Sequence, residues 1–298
     1  MSLLLCGCGG RPLSEREIVR GILFTRQNEN YSVCLVLANQ QEEKGGTGQN
    51  KIVAAQGRTP AQALEQAEES LYGDVYYGLL DLVALPSDTD WSLAQEIGTL
   101  LYDNAQPAPE LSVFLLGSQP VDSWADSADR LYNGMKSIER TYKIHCGLQQ
   151  LFTQNNVCAI PAYTETGGYD YVILAQDATP LHCSGVTEAQ LAAVLCGQTD
   201  RLQGSYNSGN AACTARAQVL MEDGVVQLHL RHVELKSLSP QEKPLQTVLA
   251  KELQRSFATL YEALKETETD PFHMIFWQNV QGVSVSSSQA PTFEVVFE

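Results

Sequence analysis

From Leu245 to Leu264 the apolar residues recur at intervals of three and four: Leu245, Val248, Leu249, Leu253, Phe257, Leu260, Tyr261 and Leu264. That is the period of an α-helix, and it gathers them into one stripe. Lys251, Glu252, Arg255 and Glu262 take the opposite side. Upstream, Ser239-Pro240-Gln241-Glu242 has the form of a capping box with proline at the first helical position. The pattern predicts one helix over residues 240–266, roughly 40 Å long at 1.5 Å per residue. A helix with one apolar side must cover something. The segments before it, Ala215–Met221 and Val225–Leu235, read as a strand pair joined by Asp223-Gly224, a dipeptide suited to the positive φ angles of a type I′ turn. A long helix over an antiparallel sheet is therefore the expected core of the C-terminal part.

The first half alternates strands and helices. Ile18–Phe24 and Tyr31–Leu37 are short apolar runs split by Gln27-Asn28-Glu29-Asn30, a hairpin signal. A glycine-rich loop precedes a further short strand near Ile52–Ala55. Thr59 then caps a helix with Pro60 at its first position and Gln62 as capping-box partner; Gly73 is the expected terminator. Leu79–Leu85 reads as a buried strand. Asp88 or Asp90 caps a second helix bearing Leu93, Ile97, Leu100 and Leu101, and Leu111–Leu116 is the next strand. Residues 119–155 look helical and polar. Strands return at Val157–Tyr163 and Tyr169–Ala175, a short helix spans Thr187–Cys196, and the tail segments Phe272–Trp277, Gly282–Val285 and Phe293–Phe297 read as strands.

The expected architecture is a multi-domain α+β protein. It divides into an anchor segment 1–10, an N-terminal α/β domain 11–118, a mainly helical connector 119–155 and a C-terminal α+β domain 156–298.

Charge and cysteine content narrow the function. With 35 acidic against 19 basic residues the net charge is −16, a surface that repels phosphate backbones and anionic headgroups and excludes nucleic acid as a natural partner. None of the eight cysteines shows a C-x-x-C spacing toward another, and several sit inside apolar runs, as buried thiols do. Gly45-Gly46-Thr47-Gly48-Gln49-Asn50-Lys51 lacks the Gly-Lys-Ser/Thr ending of a phosphate loop. His229 and His232, three apart on a strand, face opposite ways and make no metal pair. No catalytic residue, cofactor or metal is expected. Asp81, a charge inside an apolar run, either hydrogen-bonds a neighbouring loop or faces a partner; Tyr76 and Tyr77 beside it, with Tyr72 nearby, either pack in the core or join Asp81 as candidate partner contacts.

Near the start, Leu5-Cys6-Gly7-Cys8 has the form of a lipobox, with Cys8 as the acceptor that would carry a diacylglyceryl thioether. Fewer apolar residues precede it than the ~7–15 of a secretory segment, so residues 1–7 are taken as a signal remnant. The lipidated-cysteine start Cys8-Gly9-Gly10-Arg11, followed by Arg16-Glu17-Ile18-Val19, resembles the mature start of the C subunits of spore germinant receptors, the Ger(x)C lipoproteins. Gly57-Arg58-Thr59-Pro60-Ala61-Gln62-Ala63-Leu64 is similar to that family's G-x-T-x-x-E-A-L helix start, and Tyr76–Val83 to its Y-x-G-H-x-K strand. Leu93–Gly98, Ala159-Ile160-Pro161, Ser184–Glu188 and Thr269-Asp270-Pro271-Phe272 resemble later segments. Leu80, Leu82 and His273 depart from the pattern, which marks a divergent, short member.

The resemblance implies a non-enzymatic receptor subunit, lipid-anchored on the outer face of the spore inner membrane. Its implied partners are an integral-membrane subunit and a large subunit. Two other classes remain open. A solute-binding lipoprotein would show a deep pocket between lobes, and a cell-envelope hydrolase would show a Ser–His or Cys–His contact.

Overall fold

The protein is described from a computed structural model covering residues 16–38, 50–108, 110–117, 124–152, 156–164, 168–222, 224–240, 243–265, 270, 272, 274 and 291–298. The lipobox with Cys8, the glycine-rich loop, Asp223, and the tail segments Gly282–Val285 and most of Phe272–Trp277 lie outside these residues.

β1 (Arg16–Gln27) and β2 (Asn30–Leu37) form the expected hairpin, turning at Asn28 with a φ of 57°. Asparagine tolerates this left-handed conformation better than most residues. β3 (Lys51–Gly57) adds to β2 antiparallel. Next comes α1 (Pro60–Glu69), where Thr59 Oγ1 accepts from the Gln62 N–H at 3.1 Å. Gln62 Oε1 accepts from Arg58 N–H at 2.9 Å, one residue before the position that the capping box predicts. The helix stops well before Gly73. Ser70 Oγ donates to the Ala67 carbonyl at 2.7 Å and takes up an acceptor that another turn would have needed.

The first sheet has nine strands. β4 (Asp74–Tyr76) and β5 (Leu82–Leu85) both pair parallel with β1, and β6 (Ser112–Leu115) follows α2 (Trp91–Ala105). Asp90 caps α2 through the Leu93 N–H at 2.8 Å. β7 (Val157–Tyr163), β8 (Tyr169–Ala175) and β9 (Leu181–Cys183) complete the order β3-β2-β1-β5-β6-β7-β8-β9, with β4 beside β1. The central strands β1, β5, β6 and β7 run parallel. Their near-unbroken apolar runs follow from burial on both faces. Val83, Leu85, Val113 and Leu115 face α1 and α2, whereas Leu82, Ala84 and Phe114 face α3 (Trp124–Tyr142).

Here the structure differs from the expected division. β7, β8 and β9, assigned by sequence to a C-terminal domain beginning at 156, extend the first sheet. The described part of the expected connector, residues 124–152, packs on the first sheet. Leu131, Met135 and Ile138 recur at helical spacing, and α3 buries them against the sheet.

A π-turn (Val186–Gln190) and α4 (Leu191–Leu195) lead to the second sheet, β10 (Arg201–Tyr206), β11 (Ala211–Glu222), β12 (Val225–Ser237) and β13 (Thr292–Phe297), paired in that order. Gly224 has a φ of 78°, as the hairpin turn requires. The sheet is mixed, because β13 runs parallel to β12. α5 (Leu245–Lys265) covers one face with Leu249, Leu253, Phe257, Leu260 and Leu264, all buried. It starts five residues later than predicted. Proline disfavours helical geometry in the residue before it and clashes with the carbonyl four residues back. A helix begun at Pro240 would meet both problems at Pro244, so Pro244 sits just before the first turn and accepts from the Val248 N–H at 3.2 Å. The resulting helix is about 32 Å long. Its core is continuous with the α3 face of the first sheet.

Candidate partner-contact site

The chain from Asp74 to Leu85 pairs with β1 twice, first through β4 at residues 16–18 and then through β5 at residues 21–23. Between the two pairings it steps over Arg20, whose carbonyl accepts from the Asp81 N–H at 3.0 Å. All three candidate contact residues lie on this stepping segment, yet they point to different places.

Asp81 turns inward. Its carboxylate meets the Arg20 guanidinium at 2.6 Å and accepts from the Tyr132 hydroxyl at 2.8 Å. Burial, then the nearby Asp81 charge, holds the Tyr132 phenol neutral, well above its ordinary range. Asp81 thus joins β1 to α3 on one side of the sheet. Tyr77 goes to the other side, against α1, where its hydroxyl donates to Glu68. Burial first, then that bond to a carboxylate, pushes its pKa up. Tyr76 lies beneath the Arg16 guanidinium, 5.3 Å from ring centre to Cζ. The three side chains do not converge on one patch. Just before this stretch Tyr72 is fully exposed, and within it Leu79 is half-exposed, so the outward surface here is built by Tyr72, Tyr76 with Arg16, and Leu79. Sequence reasoning missed Arg20 and Tyr132. A charge placed inside an apolar run demands a partner, but the partner's position is set by pairing across 61 and 51 residues.

A second polar cluster sits where α3 meets β6. Ser112 Oγ donates to Glu139 Oε1 at 2.5 Å, Lys136 pairs with Glu139, and His145 Nδ1 lies 3.6 Å from the same carboxylate. Serine, histidine and carboxylate therefore meet, but not as a nucleophile does. The serine is 3% exposed and bonds the acid rather than the imidazole. Burial raises the Glu139 pKa, and the bonds from Lys136 and Ser112 with the charges of Lys136 and His145 outweigh it, so the net shift is downward. A carboxyl held below its unfolded value stabilises the fold above that value, and the contribution is lost as pH falls through the folded pKa. Glu139→Gln is expected to cost about 1–2 kcal/mol at neutral pH. Because it lacks that titration, its stability should also fall less than the wild type's on acidification below the ordinary glutamate value. Urea unfolding at stepped pH checks both; parallel pH profiles would refute the assignment.

The thiols beside histidine in sequence are inert. Cys146 is fully buried, donates to the Ala159 carbonyl at 3.5 Å, and burial lifts its pKa well above normal. Cys183, beside the exposed His182, is pushed up to about 12, again mainly by burial. Cys158 and Cys196 also reach about 12, and Cys34 and Cys213 about 11. Thiols in this range stay protonated and are poor nucleophiles at neutral pH. Among the described residues no group of three His, Cys, Asp or Glu side chains could hold a metal ion, and no helix is long and apolar enough to cross a membrane. An apolar cavity of about 520 Å³ lies between α4 and the β11–β12 hairpin, lined by Val194, Leu195, Met221, Val226, Phe272 and Met274 among others.

Residues 9–89 match a family described as the spore germination protein N-terminal domain. The matched stretch takes in β1 to β5, including the whole stepping segment. No curated protein matches the chain. A solved structure described as "Crystal Structure of the GerBC protein" is similar at 13% identity and a TM-score of 0.44, covering 94% of this chain and 96% of that one. Over residues 9–89, then, the chain is similar to the N-terminal domain of the spore germination proteins.

Proposed function

We propose that the protein is a non-enzymatic subunit of a spore germinant receptor, equivalent to the C subunit, held by a lipid on Cys8 at the outer face of the spore inner membrane. The observation that carries this reading is the match over residues 9–89 to a spore germination domain. It falls on a compact unit, the β1–β2–β3 sheet edge with α1 and the β4–β5 step. In this reading the partners are an integral-membrane subunit and a large subunit, and part of the contact surface is the outward stretch Tyr72, Tyr76 and Leu79. Apolar and aromatic residues left in water, as Tyr72 and Leu79 are, suit a protein interface. The buried, protonated Cys146 and Cys183, and Ser112 bonded to an acid rather than to an imidazole, do not favour a hydrolase.

Lipid anchoring has a direct test. A lone acyl chain binds membranes only marginally and two or more hold firmly, since each buried CH₂ contributes about 0.8 kcal/mol. Cys8→Ala in the full precursor is expected to move the protein from the spore membrane fraction to the supernatant. It should also lower recovery of the membrane and large subunits on an affinity-tagged copy. Retention in membranes after a high-salt wash would refute the anchor. Wild-type protein that recovers neither subunit would refute the receptor assignment.

A further inference from the structure

The second sheet has one face packed on α5 and one face open. On the open face Arg201, Arg216 and Arg231 are direct cross-strand neighbours, one each from β10, β11 and β12. Their sequence neighbours Leu202, Ala215 and Leu230 are buried in the core, so the arginines point the other way. Like charges placed opposite one another destabilise a sheet. Here three occur in register on a chain with 35 acidic and 19 basic residues, where an acidic neighbour would be the commoner accident. The end of the row shows what such a row holds. The Glu298 carboxylate bridges Arg231 Nε and His229 Nδ1, each at 2.5 Å. Arg201 and Arg216 have no carboxylate on their guanidinium groups among the described residues. Thr214 and Gln218, exposed on either side of Arg216, add hydroxyl and amide donors.

We propose that this arginine row is a docking surface for an acidic helical segment of a partner protein. Adjacent strands lie about 4.8 Å apart. Residues three or four apart on a helix lie about 5–6 Å apart. A helix laid across the strands therefore offers glutamates at the spacing of the guanidinium groups, and arginine's planar fork donates to both oxygens of a carboxylate at once. An extended strand suits the row less well, because its same-face residues are about 6.6–6.8 Å apart. A flat anionic membrane would also press against the acidic surface around the row on a chain of net charge −16, whereas a single helix meets the row alone. The surface rests on charge and register alone and stands or falls independently of the receptor reading.

The test titrates the full chain with a synthetic helical peptide bearing glutamates along one face, and with its glutamine counterpart, read by fluorescence anisotropy. The glutamate peptide should bind, more weakly as salt rises, and the glutamine peptide should not. Arg201→Glu with Arg216→Glu should weaken binding about tenfold or more. Glu298→Gln, which frees Arg231 and His229, should tighten it, and this keeps the proposal testable if the double variant folds poorly. Unchanged affinity in both variants would overturn it. So would stronger binding to vesicles of phosphatidylcholine and phosphatidylglycerol than to the peptide. Self-association abolished by the double variant would overturn it in favour of a second copy as the occupant.

Discussion

Replacing Phe257 with alanine should cost about 3–5 kcal/mol, the range for a large aromatic removed from a packed core. Phe257 is 2% exposed, lies in the middle of the α5 stripe and stacks on Phe293 of β13, ring centres 4.3 Å apart and planes within 9°. Tyr261 packs beside it at 6.2 Å. Two losses combine. The transferred area of the ring returns to water, and the cavity left between α5 and β13 has walls on both sides that cannot close without moving a helix and a strand. Leu253→Ala, one turn away and wholly buried, should cost about 2–5 kcal/mol for the same reason. Arg255→Ala, on the exposed side, should stay within about 0.5 kcal/mol. Urea unfolding would show the first two as lower midpoints. Effects of surface size at Phe257 and Leu253 would mean that α5 does not cover the second sheet.

Gly57→Ala is the second large effect, and its sign runs against habit. At an ordinary position the change stabilises by about 0.4–1 kcal/mol through the unfolded chain. At Gly57 an added Cβ would lie 2.4 Å from the Ala63 backbone nitrogen and 2.8 Å from the Gln62 carbonyl carbon. Neither atom can yield, since both belong to the first turn of α1 and that turn is pinned by the Thr59 cap. The helix would have to lift from β3, taking the buried Ala63, Leu64 and Ala67 with it. A loss of about 1–3 kcal/mol is expected, as for overpacked cores, with a fall of several degrees in the unfolding midpoint. An unchanged or raised midpoint would show that α1 does not rest on Gly57.

The local elements were legible in the sequence because their signals are local. The Thr59 and Asp90 caps, the Asn28 and Gly224 turns and the α5 stripe each need only a few neighbouring residues to declare themselves. What could not be read was which strand lies beside which. β7 and β8 form an antiparallel pair that is apolar on both sides, and such a pair fits either sheet; only the parallel contact of β6 with β7 decides. β4, three residues long, carries too little pattern to be noticed. The start of α5 was misread because the capping box at Ser239 is a local signal and Pro244, five residues on, overrides it. Tyr76, Tyr77 and Asp81 were picked out as unusual in composition, which they are. Their separation onto the two sides of the sheet depends on the step between β4 and β5, and that step is a property of pairing with β1.

The continuous core has a mechanical consequence. Packed interiors are stiff and transmit strain rather than absorb it. Leu228 and Leu230 beneath the arginine row belong to the same body of side chains as Tyr132 and Leu82 beside the β4–β5 step. A displacement applied to one sheet is thus handed to the other with little give. The shared core is therefore expected to make the two sheets move as one body rather than as two lobes on a hinge.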